Sequence, residues 1–233
     1  MSSGCDMIQE NETLWRVVNS SFSSNTFIQG TGASRECFVV DPGLDSAAVD
    51  SALVALNLRP RFICCTHGHF DHLGSAAFLL HKYAATGFMN ALDQRTAKLN
   101  NFLLLALKLP HRIETPVLNF VSEDNSMVSI GAELIRFHLT PGHTPGSCII
   151  EFRNTLFTGD TLLSRGLDVS KFPGGNHTEL RASLQRIWNL FPADARVCAG
   201  HGMSAEFGWV KVHNELLRRF VGIDCASGDW NLP

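Results

Sequence analysis

The densest chemistry in this chain is Thr66-His67-Gly68-His69-Phe70-Asp71-His72, which places three imidazoles and a carboxylate within six residues. Imidazole nitrogen and carboxylate oxygen are ordinary ligands of borderline-soft divalent ions such as zinc. Three further places put a metal-competent side chain at the end of an apolar strand, beside glycine. His143 sits at the tip of Thr140-Pro141-Gly142-His143-Thr144-Pro145-Gly146, where two Pro-Gly pairs make a rigid loop. Asp160 ends the run Leu156-Phe157-Thr158-Gly159, and His201 follows Val197-Cys198-Ala199-Gly200 and precedes Gly202. A solvated His-rich loop could explain the first cluster, and ordinary packing any one of the others. Four such sites in one chain are much harder to explain that way. Together they offer five His and two Asp, enough for two ions with one carboxylate bridging.

The elements that must carry these groups alternate between strand-like and helix-like stretches. Phe22 to Gln29 and Cys37 to Val40 read as early strands, the second ending in the turn Asp41-Pro42-Gly43. Val49, Ala52, Leu53 and Leu56 share one helical face, with Asp45 or Ser46 as the cap. Arg61 to Thr66 is a short, mostly apolar run, as in a strand buried on both sides. The histidines after it fall on a loop that Gly68 and Gly74 let bend closely, and a helix follows from Gly74 to Tyr83. Leu134 to Leu139 sets Ile135, Phe137 and Leu139 against Arg136 and His138, and Cys148 to Phe152 with Thr155 to Thr158 reads as a hairpin around Arg153-Asn154. Leu180 to Leu190 is a helix with Asn176 and Glu179 as a capping pair. Arg196 to Ala199 is expected to be the last strand, and Trp209, Val212, Leu216 and Phe220 the stripe of one final helix. Strands and helices in both halves, with no low-complexity linker, point to a layered α/β or α+β chain. Residues 1–233 are expected to form one domain, with a core over about 14–205 and a C-terminal helix over about 206–222.

Composition narrows the function. Of 233 residues, 45% are hydrophobic and 18% charged, which is incompatible with a disordered chain. The formal charge of −3 comes without any block of like sign, so neither nucleic acid nor an anionic membrane is an expected partner. The longest apolar run, Phe102 to Leu109, is far below the roughly 20 residues of a membrane span. The first residues, MSSGCDMIQENETLW, lack a basic stretch followed by an apolar core, so no secretory signal is read and a cytoplasmic location is expected. The seven cysteines (5, 37, 64, 65, 148, 198 and 225) form no CxxC pair and read as reduced, mostly buried thiols. Cys64 and Cys65 should point to opposite faces of one strand.

The motifs THGHFDH, PGHTPGS, TGDTL and AGHG, in that order, resemble those of the metallo-β-lactamase-fold hydrolases, from about Asn25 to about His201, and VVDPG at 39–43 resembles that family's early strand and turn. The resemblance implies a four-layer αββα sandwich with metals at one edge. It implies that His67, His69 and His143 hold a first ion, that Asp71, His72 and His201 hold a second, and that Asp160 bridges them. Zinc is the expected metal, with iron or manganese also fitting. The mechanism it implies is attack of a metal-bound hydroxide on a thioester or ester-like carbonyl, with Asp71 as the catalytic residue orienting the water and shuttling its proton. No G-x-S-x-G elbow offers a serine alternative. TGDTL followed by Phe172-Pro173-Gly174-Gly175 is similar to the glyoxalase II-like group. Only 32 residues follow His201, however, against that enzyme's helical glutathione-gripping extension, so a short-form or divergent hydrolase is expected.

Other readings stand beside this one. A mononuclear iron persulfide dioxygenase of the same fold would use His67, His143 and Asp160. A lactonase is compatible with the motifs; a binding protein on a retained fold is disfavoured by the intact ligand set, and a secreted β-lactamase by the missing signal. His81, His111, His138, His177 and His213 read as surface or packing residues, and Phe70 as either pocket or core. The segment Asn100 to Pro116 is expected to be a core or homodimer-contact helix, or else an apolar lid over the metals. The partner expected at the site is a small acyl substrate.

Overall fold

Cys64 and Cys65 are chain neighbours that belong to different cores, and that alternation sets the layering of the molecule. The computed structural model describes residues 7–32, 34–168, 170 and 172–223. Cys5, Cys225 and the start of the segment read for a secretory signal lie outside the described residues.

The first sheet has the order β1 (Met7–Asn11), β2 (Leu14–Val18), β3 (Asn25–Gly30), β4 (Glu36–Val40), β5 (Arg59–Cys64), β6 (Thr86–Asn90), β7 (Asn119–Val121). It is antiparallel as far as β4 and parallel beyond it. The second runs β13 (Ala205–Glu206), β12 (Arg196–Ala199), β11 (Thr155–Gly159), β10 (Cys148–Phe152), β9 (Glu133–Leu139), β8 (Ser126–Ile130). Its pairs are antiparallel except β11 with β12. Between the sheets lie Phe27, Phe38, Phe62 and Cys64 from one side and Phe137, Ile150, Phe152 and Phe157 from the other. Ring pairs Phe38–Phe152 at 5.1 Å and Phe27–Phe157 at 5.4 Å lock the two together.

The outer faces are apolar as well, so each needs a helical cover. Val39, Ile63 and Cys65 pack under α1 (Ser46–Ala55), α2 (Phe70–Leu73), α3 (Ala76–Tyr83) and α4 (Gln94–Ala106). Ile149, Leu156 and Val197 pack under α5 (His177–Trp188), α6 (Phe207–His213) and α7 (Glu215–Val221). The layers are therefore helix, sheet, sheet, helix, as the motifs implied.

Several local expectations need correction. The early strand begins at Asn25, not Phe22, because Phe22 and Ser23 take φ of 66° and 52° and form a turn. The helix expected over Gly74 to Tyr83 is α3 and begins at Ala76, and part of the stretch expected to be loop before it is a separate short helix, α2. Arg196 to Ala199 is not the last strand, since β13 pairs beyond it. The single C-terminal helix is two. Asn214 ends α6 with non-helical backbone (φ −91°, ψ 85°), and its side chain accepts from the Leu217 amide to start α7. That break shifts the phase: Phe207, Val210, Leu217 and Val221 are buried, whereas Leu216 is 57% exposed. Asp45 is the N-cap of α1 but accepts from the Ser20 amide instead of capping. Asn176 does cap α5, accepting from the Thr178 and Glu179 amides.

Candidate metal centre

Four strands and one short helix deliver the chemistry to a single edge of the sandwich. The loop after β5 carries His67 and His69, and α2 carries Asp71 and His72. His143 follows β9, Asp160 follows β11, and His201 follows β12. The backbone at these exits is tightly drawn. Gly142 has φ of 136°, and a Cβ there would overlap the Leu180 backbone at the start of α5. A Cβ on Gly200 would overlap the Asp160 carboxylate itself. Only glycine fits either position.

All seven residues singled out in the sequence come together. One nitrogen each from His67, His69 and His143 lies within 4.8 Å of the others, and Asp71, His72 and His201 form a second such group. Asp160 stands between them. Its Oδ2 is 3.6 Å from His143 Nε2 in the first group and 3.5 Å from both His72 Nε2 and His201 Nε2 in the second. His69 Nδ1 and His143 Nε2 face each other at 3.1 Å, and His72 Nε2 and His201 Nε2 at 3.4 Å. His67 Nε2 and Asp160 Oδ1 are buried without a hydrogen-bond partner. Buried polar atoms without partners cost about 1–3 kcal/mol each. A cation between these groups would remove that cost, so the donor set fits a pair of divalent ions.

The electrostatics separate the two groups. Burial, reinforced by the neighbouring imidazoles, drives His67 well below the ordinary histidine range and His69 down to about 3, so both are neutral near pH 7. Burial also opposes charge on His72 and His201. Asp160 and Asp71 override it there, raising His72 well above its ordinary value and His201 to about 9. The same contacts, chiefly with His72, hold Asp160 and Asp71 below the carboxylate range despite their burial.

Two buried carboxylates behind the site were not singled out in the sequence. Asp41, read there only as part of a turn, accepts from the Thr66 amide and hydroxyl, both at 2.7 Å. Its Oδ2 is 3.1 Å from His72 Nδ1, which turns the other ring nitrogen towards the centre. Asp93 joins the two loops of the first group. It accepts from the Gly68 amide, the Thr144 hydroxyl and the Gly146 amide, each at 2.7 Å. A buried strand ending in Asp-Pro-Gly was a signal for Asp41; nothing local marked Asp93. Asp168 adds a further carboxylate 3.9 Å from His143 Nδ1.

The other histidines lie away from the centre. His81 is exposed, His111 meets Ser21, His138 is buried against Glu151, His177 approaches Phe220 and His213 stacks on Trp209. Of the two readings of Asn100 to Pro116, the structure fits a core helix and not the alternative of a lid. Leu104 of α4 is buried in the first helical layer, and Asn100 donates to the Gly68 carbonyl. Phe102 and Leu105 face outward, and no residue of 94–116 lines the cleft over the centre. Phe70 is both core and cleft residue.

A family model described as the metallo-beta-lactamase superfamily matches residues 20–201. Among curated relatives, a probable polyketide biosynthesis zinc-dependent hydrolase, PksB of Bacillus subtilis, is 28% identical over 75% of this chain and 71% of its own length. A hydroxyacylglutathione hydrolase of Anaeromyxobacter dehalogenans is 34% identical over 74% of this chain and 60% of its own length. Among solved structures, the B3 metallo-beta-lactamase BLEG-1 superposes with a TM-score of 0.79 at 25% identity, covering 88% of this chain and 99% of that one. TTHA1623, solved in a di-iron-bound form, gives 0.76 at 26% identity, covering 86% and 98%.

Proposed function

This chain belongs to the metallo-beta-lactamase superfamily, and from that premise we propose that it is a two-metal hydrolase of a thioester or ester-like acyl substrate. One observation carries the reading: a single oxygen of Asp160 lies within 3.6 Å of imidazoles from both ligand groups. That is the position a carboxylate needs to serve two ions at once. His67, His69 and His143 would hold one, Asp71, His72 and His201 the other, and Asp160 both. Divalent ions in such a site supply an acidified water near neutral pH and polarise a carbonyl oxygen.

The remaining work falls to the chain. Asp71 lines the cleft and is ionised near pH 7, so it can accept a hydrogen bond from the attacking water and receive its proton. Asp41 and Thr66 fix the ring planes of His72 and His67 from behind. The relative named as a hydroxyacylglutathione hydrolase supports acyl chemistry, and the one named as a zinc-dependent hydrolase supports zinc. Elemental analysis of protein purified without added metal is the first test, followed by a panel of thioesters, esters, lactones and persulfides. About two zinc per chain, with thioester turnover abolished by a chelator and restored by metal, is the expected result. One iron per chain with oxygen uptake on a persulfide would overturn it.

A further inference from the structure

The cleft in front of the centre, about 330 Å³, is lined by aromatic and by polar groups. The aromatic ones adjoin one another and form one side. The rings of Phe22 and Phe70 meet edge to face at 5.0 Å, Phe70 and Phe172 at 6.2 Å, and Phe172 lies 5.2 Å from His69. The polar lining includes Asp168 and Ser170. Phe70 is the floor of the aromatic side, almost fully buried, while Phe22 at the mouth is 43% exposed.

The backbone under Phe22 is what makes this wall informative. Phe22 and Ser23 both lie in the left-handed region, at φ 66° and 52°. A bulky side chain there is a true outlier and costs on the order of 1–3 kcal/mol. Glycine or asparagine would serve a mere turn better. The strained turn is also fastened to the centre. The Ser24 hydroxyl donates to the Asp71 carbonyl at 2.7 Å, Ser24 bridges the His201 backbone, and the Asn25 amide donates to the Gly200 carbonyl at 2.7 Å. The Asn19 amide and side chain both donate to the Ser24 carbonyl and close the turn from the other side. A half-exposed aromatic ring is thus held beside the loops of Asp71 and His201 at a cost in backbone strain.

We propose that this aromatic side receives an apolar acyl group, an aryl or medium aliphatic chain, and that Phe22 is the residue that sets the preference. The inference rests on the acyl-hydrolase reading above and names the substrate class for it. Phe22→Asn removes the ring while keeping a residue that tolerates the left-handed turn. Acetyl, hexanoyl and phenylacetyl thioesters of one common thiol are compared as substrates. Acetate, hexanoate and phenylacetate are compared in parallel as ligands of the metal-loaded protein by calorimetry, and metal content is checked for each protein. In the wild type, kcat/KM and affinity should favour the two apolar groups over acetyl, and in Phe22→Asn that ratio should fall at least about tenfold. A wild type without the preference, or a variant that keeps the ratio, overturns the proposal. If no thioester is turned over, the acyl-hydrolase reading fails, and the calorimetric ratio alone decides whether the aromatic side binds apolar acids.

Discussion

At the level of single residues, the two ligand groups should behave differently towards protons. An ion binds only the neutral imidazole. His67 and His69 are already neutral near pH 7, so an ion there displaces no proton from them. His72 and His201 hold protons in the metal-free protein because Asp160 and Asp71 face them. An ion in the second group must expel those protons. Its apparent affinity should therefore rise with pH, by about tenfold per unit for each proton lost, and flatten for His201 above about 9. Calorimetric titration in buffers of different ionisation heat checks this, and an enthalpy that does not vary with the buffer would refute it. Asp160→Asn removes the shared anion. Metal content should drop below two per chain and kcat/KM by more than about 100-fold, measured by elemental analysis and turnover.

At the level of elements, the centre depends on how strand exits are tied to each other. Asp93→Ala removes the acceptor that joins the Gly68 loop to the Thr144–Gly146 loop. An ion that His67, His69 and His143 would hold should bind about 10–100-fold more weakly, read by competition with a chromogenic chelator. Gly200→Ala should be worse than its size suggests, because the new methyl meets Asp160. Metal content there should fall even if circular dichroism is unchanged. These elements also show what the sequence makes legible. The seven candidate ligand positions were readable because three His and one Asp crowd into six residues after an apolar strand, and the other three are rare side chains ending an apolar run or a tight loop beside glycine. The β10–β11 hairpin and the Asn176 cap were readable from local turn and cap chemistry. β1, β2, β6, β7, β8 and β13 went unread, since they are short and mix polar with apolar residues; their pairing partners, not their own pattern, make them strands. The phase of α6 and α7 went unread because one asparagine resets it. Asp93 acts through three contacts, of which Thr144 and Gly146 are more than 50 residues away, a relation no local window contains.

For the molecule as a whole, the ions should contribute to stability as well as to reaction. Four imidazoles crowd together, with ring centroids of His67 at 4.8 Å from His69, 4.3 Å from His72 and 4.9 Å from His143. Metal binds the folded site and not its scattered ligands, so occupancy a hundredfold above Kd adds about 2.7 kcal/mol. In a chain of this length that is roughly 5–10 °C. Differential scanning calorimetry should show Tm falling by that order with chelator and returning with metal. An unchanged Tm would mean that the ions are bound weakly or not at all. Among the described residues, no helix is long and apolar enough to cross a membrane.

The thiols offer an independent view of the same scaffold. Cys37, Cys64, Cys65, Cys148 and Cys198 are free and buried, and burial raises each well above the ordinary thiol range, Cys198 to about 12. Such sulfurs react with a disulfide reagent only after the layers part. With Cys5 and Cys225 replaced by serine, colour release would report the opening of the sandwich in real time. Cys148 lies against the Thr66 carbonyl, directly behind the histidine loop, so its labelling rate, compared with that of Cys198, would show whether the metal edge loosens before the rest.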